Sequence, residues 1–252
     1  YGENSFALFS LPTPLFGKVT GVLGKNAIGK STAFKILAGL IKANLGQHGA
    51  EIEFKEIIKY FKGTEMQKFL EKLQKNEINL SYKPQQVELI PKQFNGTVKE
   101  LLEKIDQKNM FNEVVEKLSL KHFLDTNIRK VSGGELQRVA IAAAVLKDSN
   151  LILFDEPSSY LDIKQRIKVS NYIRSLSNEN NSILVIEHDL IILDFITELL
   201  NIMYGKDSVY GIVSGIKNTR EGINSFLEGF LKEENVRFRS NAIKFEASQD
   251  KV

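Results

Sequence analysis

The sequence predicts a mixed α/β domain with a largely parallel core sheet, on three observations. The strand-like Val19-Thr20-Gly21-Val22-Leu23 runs directly into the glycine-rich Gly24-Lys25-Asn26-Ala27-Ile28-Gly29-Lys30-Ser31-Thr32, and that into the helical stretch Ala33 to Leu40. Leu151-Ile152-Leu153-Phe154 and Ser182-Ile183-Leu184-Val185-Ile186 read as strands buried on both faces, the pattern of parallel sheets. Asp162 to Leu176 between them has helical spacing, which makes a β-α-β unit.

The glycine-rich run has the spacing of a phosphate cradle: Gly, four residues, then Gly-Lys-Ser, between a strand and a helix. Backbone N–H groups from Asn26, Ala27, Ile28, Gly29, Lys30, Ser31 and Thr32, with the positive end of the helix, would hold the oxygens of a triphosphate. Lys30 would reach the terminal phosphates, and the Ser31 hydroxyl would hold Mg²⁺.

Composition sets the outer limits. The 252 residues suffice for one large α/β domain with its own core or for two small ones, and the net charge of +3 neither demands nor excludes a nucleic-acid partner. With no cysteine the chain has no disulfide framework and no cysteine-ligated metal site, which suits a reducing, cytoplasmic setting. No apolar run approaches the roughly 18 residues of a membrane span, so no membrane partner is expected. The chain opens on Tyr1 rather than methionine and is expected to be a piece of a longer protein.

The remaining elements follow in chain order. Tyr1 to Leu23 alternates short apolar stretches with Pro12, Pro14 and Gly17, as antiparallel strands would. From Ile52 to Leu73, Phe54, Ile57, Ile58, Tyr60 and Phe61 fall on helical spacing before Lys62-Gly63-Thr64-Glu65 interrupts them. Thr64, with Gln67 three residues on, starts a second helix through Phe69, Leu70 and Leu73, giving a helix–loop–helix insertion at 51–75. Helices are expected around Val98 to Ile105 and Val114 to Leu118, then from Glu135 to Leu146, forming a helical subdomain at 95–147. No internal repeat is evident, and the whole chain reads as one nucleotide-binding domain.

Two further constellations carry chemistry. Asp155-Glu156 ends an apolar strand, where Asp155 would hold Mg²⁺ directly or through water and Glu156 would orient or deprotonate the attacking water. Val131-Ser132-Gly133-Gly134-Glu135-Leu136-Gln137-Arg138 is a second glycine loop opening a helix, a second anion-binding terminus.

The cradle, Gln85, the Ser-Gly-Gly-Glu-Leu-Gln-Arg run, Asp155-Glu156, Ser158-Ser159-Tyr160-Leu161-Asp162 and His188 occur in the order of an ATP-binding cassette (ABC) ATPase, and the chain resembles that family throughout. The resemblance implies an ABC-type fold with a largely parallel core sheet, an N-terminal antiparallel β-subdomain and a helical subdomain. It makes Gln85 of Tyr82-Lys83-Pro84-Gln85 the glutamine linking Mg²⁺ and water to the helical subdomain, and His188 the switch histidine at the γ-phosphate. Asp162 would belong to the loop that crosses to a facing domain, and Ser132, Gly133, Gly134 and Glu135 would grip the nucleotide of that domain. The chain departs from the family pattern at Ala27, where a glycine is usual, and at Val131, where a leucine is. An aromatic upstream of the cradle should stack on adenine, with Tyr1 and Phe6 as candidates and Phe9 as the alternative.

Within this family the chain is similar to the ribosome-recycling subfamily E, the RNase L inhibitor family. Tyr1-Gly2-Glu3-Asn4-Ser5-Phe6, Lys62-Gly63-Thr64-Glu65, Tyr82 to Gln85, Glu187-His188-Asp189-Leu190, Asn218 to Asn224 and Asn235-Val236-Arg237-Phe238-Arg239 carry that resemblance to the first of two cassettes. It implies hydrolysis of ATP to ADP with a second cassette of the same polypeptide, closure of the pair splitting ribosomes. Implied partners are the small ribosomal subunit, release or rescue factors and ribosomal RNA. Lys62, Thr64 and Glu65 become ribosome-contact candidates, and Arg237 and Arg239 members of a hinge-like segment at 215–252. The family's iron–sulfur domain would lie outside this chain. The competing readings are the ATPase subunit of an ABC transporter and a non-catalytic nucleotide-sensing clamp.

Overall fold

The computed structural model describes residues 6–41 and 53–243. Their elements run β1 (Ala7–Phe9), β2 (Val19–Gly24), α1 (Lys30–Leu37), α2 (Phe54–Tyr60), α3 (Glu65–Gln74), β3 (Leu80–Lys83), α4 (Ile90–Gln93), α5 (Val98–Ile105), α6 (Phe111–Lys117) and α7 (Gly133–Leu146). The second half continues with β4 (Leu151–Asp155), α8 (Ile163–Ser175), β5 (Ser182–Ile186), α9 (Leu190–Ile196), β6 (Leu199–Lys206), β7 (Tyr210–Asn218), α10 (Thr219–Glu228), β8 (Phe230–Leu231) and β9 (Val236–Arg237).

One seven-stranded sheet, ordered β1-β7-β6-β2-β5-β4-β3, carries the domain. Neighbours in it are parallel except β6 and β7, which form a hairpin. Strand β4 shows why its sequence is apolar from Leu151 to Phe154. Leu151 and Leu153 pack with Phe34 of α1 and with Ile57, Met66, Phe69 and Leu70 of α2 and α3. Ile152 and Phe154 pack on the other face with Val139, Ile141 and Val145 of α7 and Ile173 of α8. Alternate residues point to opposite faces, and both faces are covered.

The N-terminal segment corrects one expectation. Within Tyr1 to Leu23 the described strands do not pair with each other in antiparallel fashion. β1 lies parallel to β7, and β2 sits mid-sheet, parallel to β5 and β6. Turn residues such as Pro12 and Pro14 mark where a strand stops but not the direction in which the next neighbour runs.

The helix–loop–helix forms as α2 and α3, with its apolar side built into the core beside the sheet and Lys62, Gly63, Thr64 and Glu65 exposed at its turn. Thr64 caps α3 by accepting from the Gln67 N–H at 3.4 Å. The Gln67 side chain reaches one residue further back than a capping box requires, accepting from the Gly63 N–H at 2.7 Å. At the other end of the chain, Ile223, Phe226 and Phe238 pack around Leu231, Leu200 and Leu23 beside β6. No helix among the described residues is long and apolar enough to cross a membrane.

Candidate nucleotide site

The sheet brings the carboxyl ends of β2, β5, β4 and β3 side by side, the edge where ligands bind in open α/β sheets. A cavity of about 410 Å³ opens there, lined by Asn26, Ala27, Gly29, Lys30, Ser31, Thr32, Gln85, Glu156 and His188. Residues 162 positions apart in sequence, from Asn26 to His188, thus share one wall.

The glycine loop leaves β2 at Gly24 and enters α1 through Gly29, whose φ of 94° is left-handed. A side chain at Gly29 would be strained at this φ and would have to displace the Phe6 ring, since a Cβ would sit 2.5 Å from Cζ of Phe6. Ala27 also holds a left-handed backbone, with φ of 58°, a conformation that costs an L-residue about 1 kcal/mol and that the usual glycine would adopt freely. Its carbonyl accepts from the Ser208 N–H at 3.0 Å, which fixes the loop from the β6–β7 hairpin. The Ile28 side chain leaves the site for the core, where it is buried, so only its backbone can serve a ligand.

Lys30 is buried, and its ammonium donates to the carbonyls of Gly24 at 2.8 Å and Lys25 at 2.5 Å. Burial pushes its pKa down to about 8, against the pull of the Glu156 and Asp155 carboxylates. Asp155 is fully buried at the end of β4, with Oδ2 accepting from the Tyr82 hydroxyl at 3.2 Å and Oδ1 without a hydrogen-bond partner. Burial raises its pKa, and the Ser31 hydroxyl beside it works in the opposite direction. An unsatisfied buried carboxylate oxygen next to a hydroxyl is a hard-oxygen donor set of the kind Mg²⁺ takes.

Glu156 holds the centre of the site. Its backbone is left-handed, with φ of 50°. Its Oε1 lies 3.0 Å from Nε2 of His188, and its Oε2 accepts from the Ser159 hydroxyl at 3.1 Å. The bond from His188 holds the Glu156 carboxyl below the ordinary range, outweighing partial burial, and the Gln85 side chain adds to the effect. His188 is itself braced from its main chain, where Oε1 of the buried Glu187 accepts its N–H at 2.8 Å. The other Glu187 oxygen accepts from Ser158 at 2.6 Å, tying the residues after β4 to those after β5.

Ser132, Gly133, Gly134 and Glu135 do not line this cavity. They form the start of α7, where Ser132 and Glu135 make a full capping box: the Ser132 side chain accepts from the Glu135 N–H, and the Glu135 carboxylate accepts from the Ser132 N–H at 2.8 Å. The Tyr160 ring lies over Gly133, within 3.7 Å of where a Cβ would be. Among the adenine candidates, Phe6 lies against the loop at Gly29, Phe9 is exposed and meets Tyr210 edge-on at 6.5 Å, and Tyr1 falls outside the described residues.

Three residues with no role in the sequence reading serve this site. Lys83 and Gln137 donate to the main chain of Asp155 and Glu156, and Glu187 orients His188. Lys83, Gln137 and Glu187 all lie inside runs whose other members carry the chemistry, and nothing in those runs marks them out.

A P-loop cassette with this strand order, a second glycine loop at a helix start and a carboxylate pair at the end of β4 defines an ABC-type ATPase. The family model for ABC transporter proteins matches residues 15–159, and the chain belongs to that family. It is 51% identical over 246 residues to an uncharacterized ABC transporter ATP-binding protein of Methanocaldococcus jannaschii, spanning 98% of this chain and 40% of that protein. It is 44% identical over 250 residues to translation initiation factor RLI1 of Saccharomyces cerevisiae, across 97% of this chain and 41% of that one. The chain therefore spans about two fifths of the length of these relatives. Among solved structures, the archaeal ribosome recycling factor in complex with the ribosomal stalk protein superposes with a TM-score of 0.92 at 50% identity, over 100% of this chain and 48% of that one. A ribosome-bound archaeal Pelota and ABCE1 assembly gives 0.94 at 48% identity, over 100% and 42% of the chains. Close homologues are thus members of the ABCE1, Rli1 or RNase L inhibitor family.

Proposed function

We propose that this cassette binds Mg-ATP in the cavity at the sheet's carboxyl edge and hydrolyses it against a second cassette of the same polypeptide, and that the closure so driven splits ribosomes into subunits in the cytoplasm. The Glu156 carboxylate carries the hydrolytic part: it is ionised, it faces the cavity that Lys30 and Ser31 share, and His188 and Ser159 fix both its oxygens. In that position it takes a proton from, or orients, the attacking water. Lys30 would exchange the Gly24 and Lys25 carbonyls for phosphate oxygens. Ser31, Asp155 and Gln85 would hold Mg²⁺, which neutralises phosphate charge. Phe6 and Tyr1 are the candidates for stacking on adenine.

Ser132, Gly133, Gly134 and Glu135 stand away from this cavity, which supports their serving the nucleotide of the facing cassette. A single cassette would then bind nucleotide and turn it over poorly. The ribosomal part rests on the relatives named for translation and ribosome recycling, and on the exposure of Lys62, Thr64 and Glu65 at the turn between α2 and α3. Arg237 and Arg239 are proposed hinge residues. Arg237 is exposed over the Phe230 ring, and Arg239 donates to the Phe226 carbonyl. The transporter reading is not favoured: the zinc import ATP-binding protein of Buchnera aphidicola is only 30% identical, over 67% of this chain.

Co-sedimentation of the intact protein with small ribosomal subunits tests the proposal. Pelleting with a non-hydrolysable ATP analogue and Mg²⁺, lost when nucleotide is omitted, is the expected result. No pelleting in either condition would reject the ribosomal role.

A further inference from the structure

We propose that Lys83 is a positioning residue for hydrolysis: its ammonium clamps the carbonyls of Asp155 and Glu156 and so holds Glu156 in the backbone conformation that presents its carboxylate to the nucleotide. This rests on the hydrolytic reading of the site given above.

The ladder between β3 and β4 ends at the pair Lys83 and Phe154, so the main chain of Asp155 and Glu156 runs beyond the last residue of β3. Buried carbonyls left there without donors would each cost free energy comparable to a lost hydrogen bond. Nζ of Lys83 supplies them, donating to the Asp155 carbonyl at 2.8 Å and to the Glu156 carbonyl at 3.3 Å. The Glu156 carbonyl also accepts from Nε2 of Gln137, reaching across from α7, at 2.7 Å and from the Ser159 N–H at 3.3 Å, whereas the Asp155 carbonyl relies on Lys83 beyond the ladder. An ammonium offers three donors from a single point, so it can serve two successive carbonyls where a hydroxyl can donate to only one.

The position is an expensive one for a lysine. Lys83 is 1% exposed, in register with Phe154 of β4, and the nearby carboxylates of Asp155 and Glu156 offset only part of the cost of its burial. A strand needing only to be buried would be served by an aliphatic side chain at no desolvation cost. What the charge does serve is the turn. Glu156 holds φ of 50°, a conformation costly for a residue with a Cβ, which persists where the surroundings over-determine it. On the β5 side the Glu156 N–H is fixed to the Ile186 carbonyl at 2.9 Å, and on the other side its own carbonyl is fixed by Lys83, Gln137 and the Ser159 N–H. The peptide is thus held at both ends, and its side chain projects into the cavity. Lys83 does not line that cavity, so it acts through Glu156. Gln85, two residues further along the same segment, does line it, and one strand end therefore places both the clamp and a cavity residue.

The test is a double-mutant cycle on ATP turnover in the intact protein, reading the part of turnover that Glu156→Gln removes. Lys83→Met keeps the length of the side chain and deletes the donors. It is expected to lower that part of kcat by about tenfold or more, with Mg-ATP affinity within about twofold of the parent. Combined with Glu156→Gln it should add no further loss. Lys83→Gln, which keeps a donor, should recover part of the rate, and it carries the same cycle should Lys83→Met fail to fold. Unchanged turnover in Lys83→Met would overturn the assignment, as would a loss that simply multiplies with that of Glu156→Gln or that follows nucleotide affinity. If Glu156→Gln itself removed no turnover, the hydrolytic reading of the site would fall, and the clamp with it.

Discussion

The phosphate loop and the carboxylate turn face each other across one cavity but are built in opposite ways. The loop is mostly local: Gly24 to Thr32 are contiguous, and the ammonium of Lys30 is held by carbonyls of its own loop, with the Ser208 N–H joining from the β6–β7 hairpin at Ala27. The turn is assembled from afar. Asp155 and Glu156 are held by Lys83 and Gln137 through their main chain, and by Tyr82, Ser159 and His188 through their side chains. The loop can exchange its internal bonds for a ligand's oxygens without disturbing the sheet. The turn is fixed before any ligand arrives, as preorganised catalytic groups must be. Binding and chemistry should therefore separate when one side or the other is altered.

Glu156→Gln is the largest such separation. Loss of the proposed general base should lower the turnover of this site by roughly a hundredfold or more while Mg-ATP affinity stays near the parent value, read by steady-state rates and equilibrium titration. Equal losses in both would break the division between the two sides.

His188→Ala sharpens the contrast through pH. The bond from His188 is the largest influence depressing the Glu156 pKa. Without it the carboxyl rises toward its ordinary range, so the ionised base is lost at a higher pH as the solution is acidified. The acid limb of the kcat profile should move upward in pH, with the alkaline side little changed. A profile that keeps its acid limb would mean that His188 does not govern the charge of Glu156.

Ala27→Gly should have the smallest effect, and it falls on the loop side alone. Glycine relieves the left-handed strain at φ of 58° but gains freedom in the unfolded chain, so the two terms nearly cancel. The net change should stay within about 1 kcal/mol, a Tm shift of no more than about 3 °C by calorimetry. A larger change would show that Ala27 is coupled to more of the structure than its one hydrogen bond to Ser208 indicates.

The same contrast governs what could be read from the chain before its structure. The loop, the capped start of α3 at Thr64 and the apolar runs of β4 and β5 were legible, because each depends on residues close in sequence and on a pattern that sets which faces are buried. Lys83 and Gln137 were not, since the carbonyls they serve lie at Asp155 and Glu156, brought near only by the pairing of β3 with β4 and the packing of α7. The pairing of β1 was misread for a related reason: a three-residue strand carries no mark of whether its neighbour runs with it or against it, and β7, which it joins in parallel, lies some 200 residues on. Ile28 illustrates a finer limit. A motif identifies which residues surround a phosphate but not which of them turn a side chain into the core.

Calorimetric titration of the intact protein with Mg-ATP, run beside its Lys30→Met variant, tests the central claim most directly. A saturable heat of binding in the parent, weakened by roughly tenfold or more when the ammonium is removed, is the result this account predicts. The contrary result is an affinity for Mg-ATP that Lys30→Met leaves unchanged, or no binding by the parent at millimolar nucleotide.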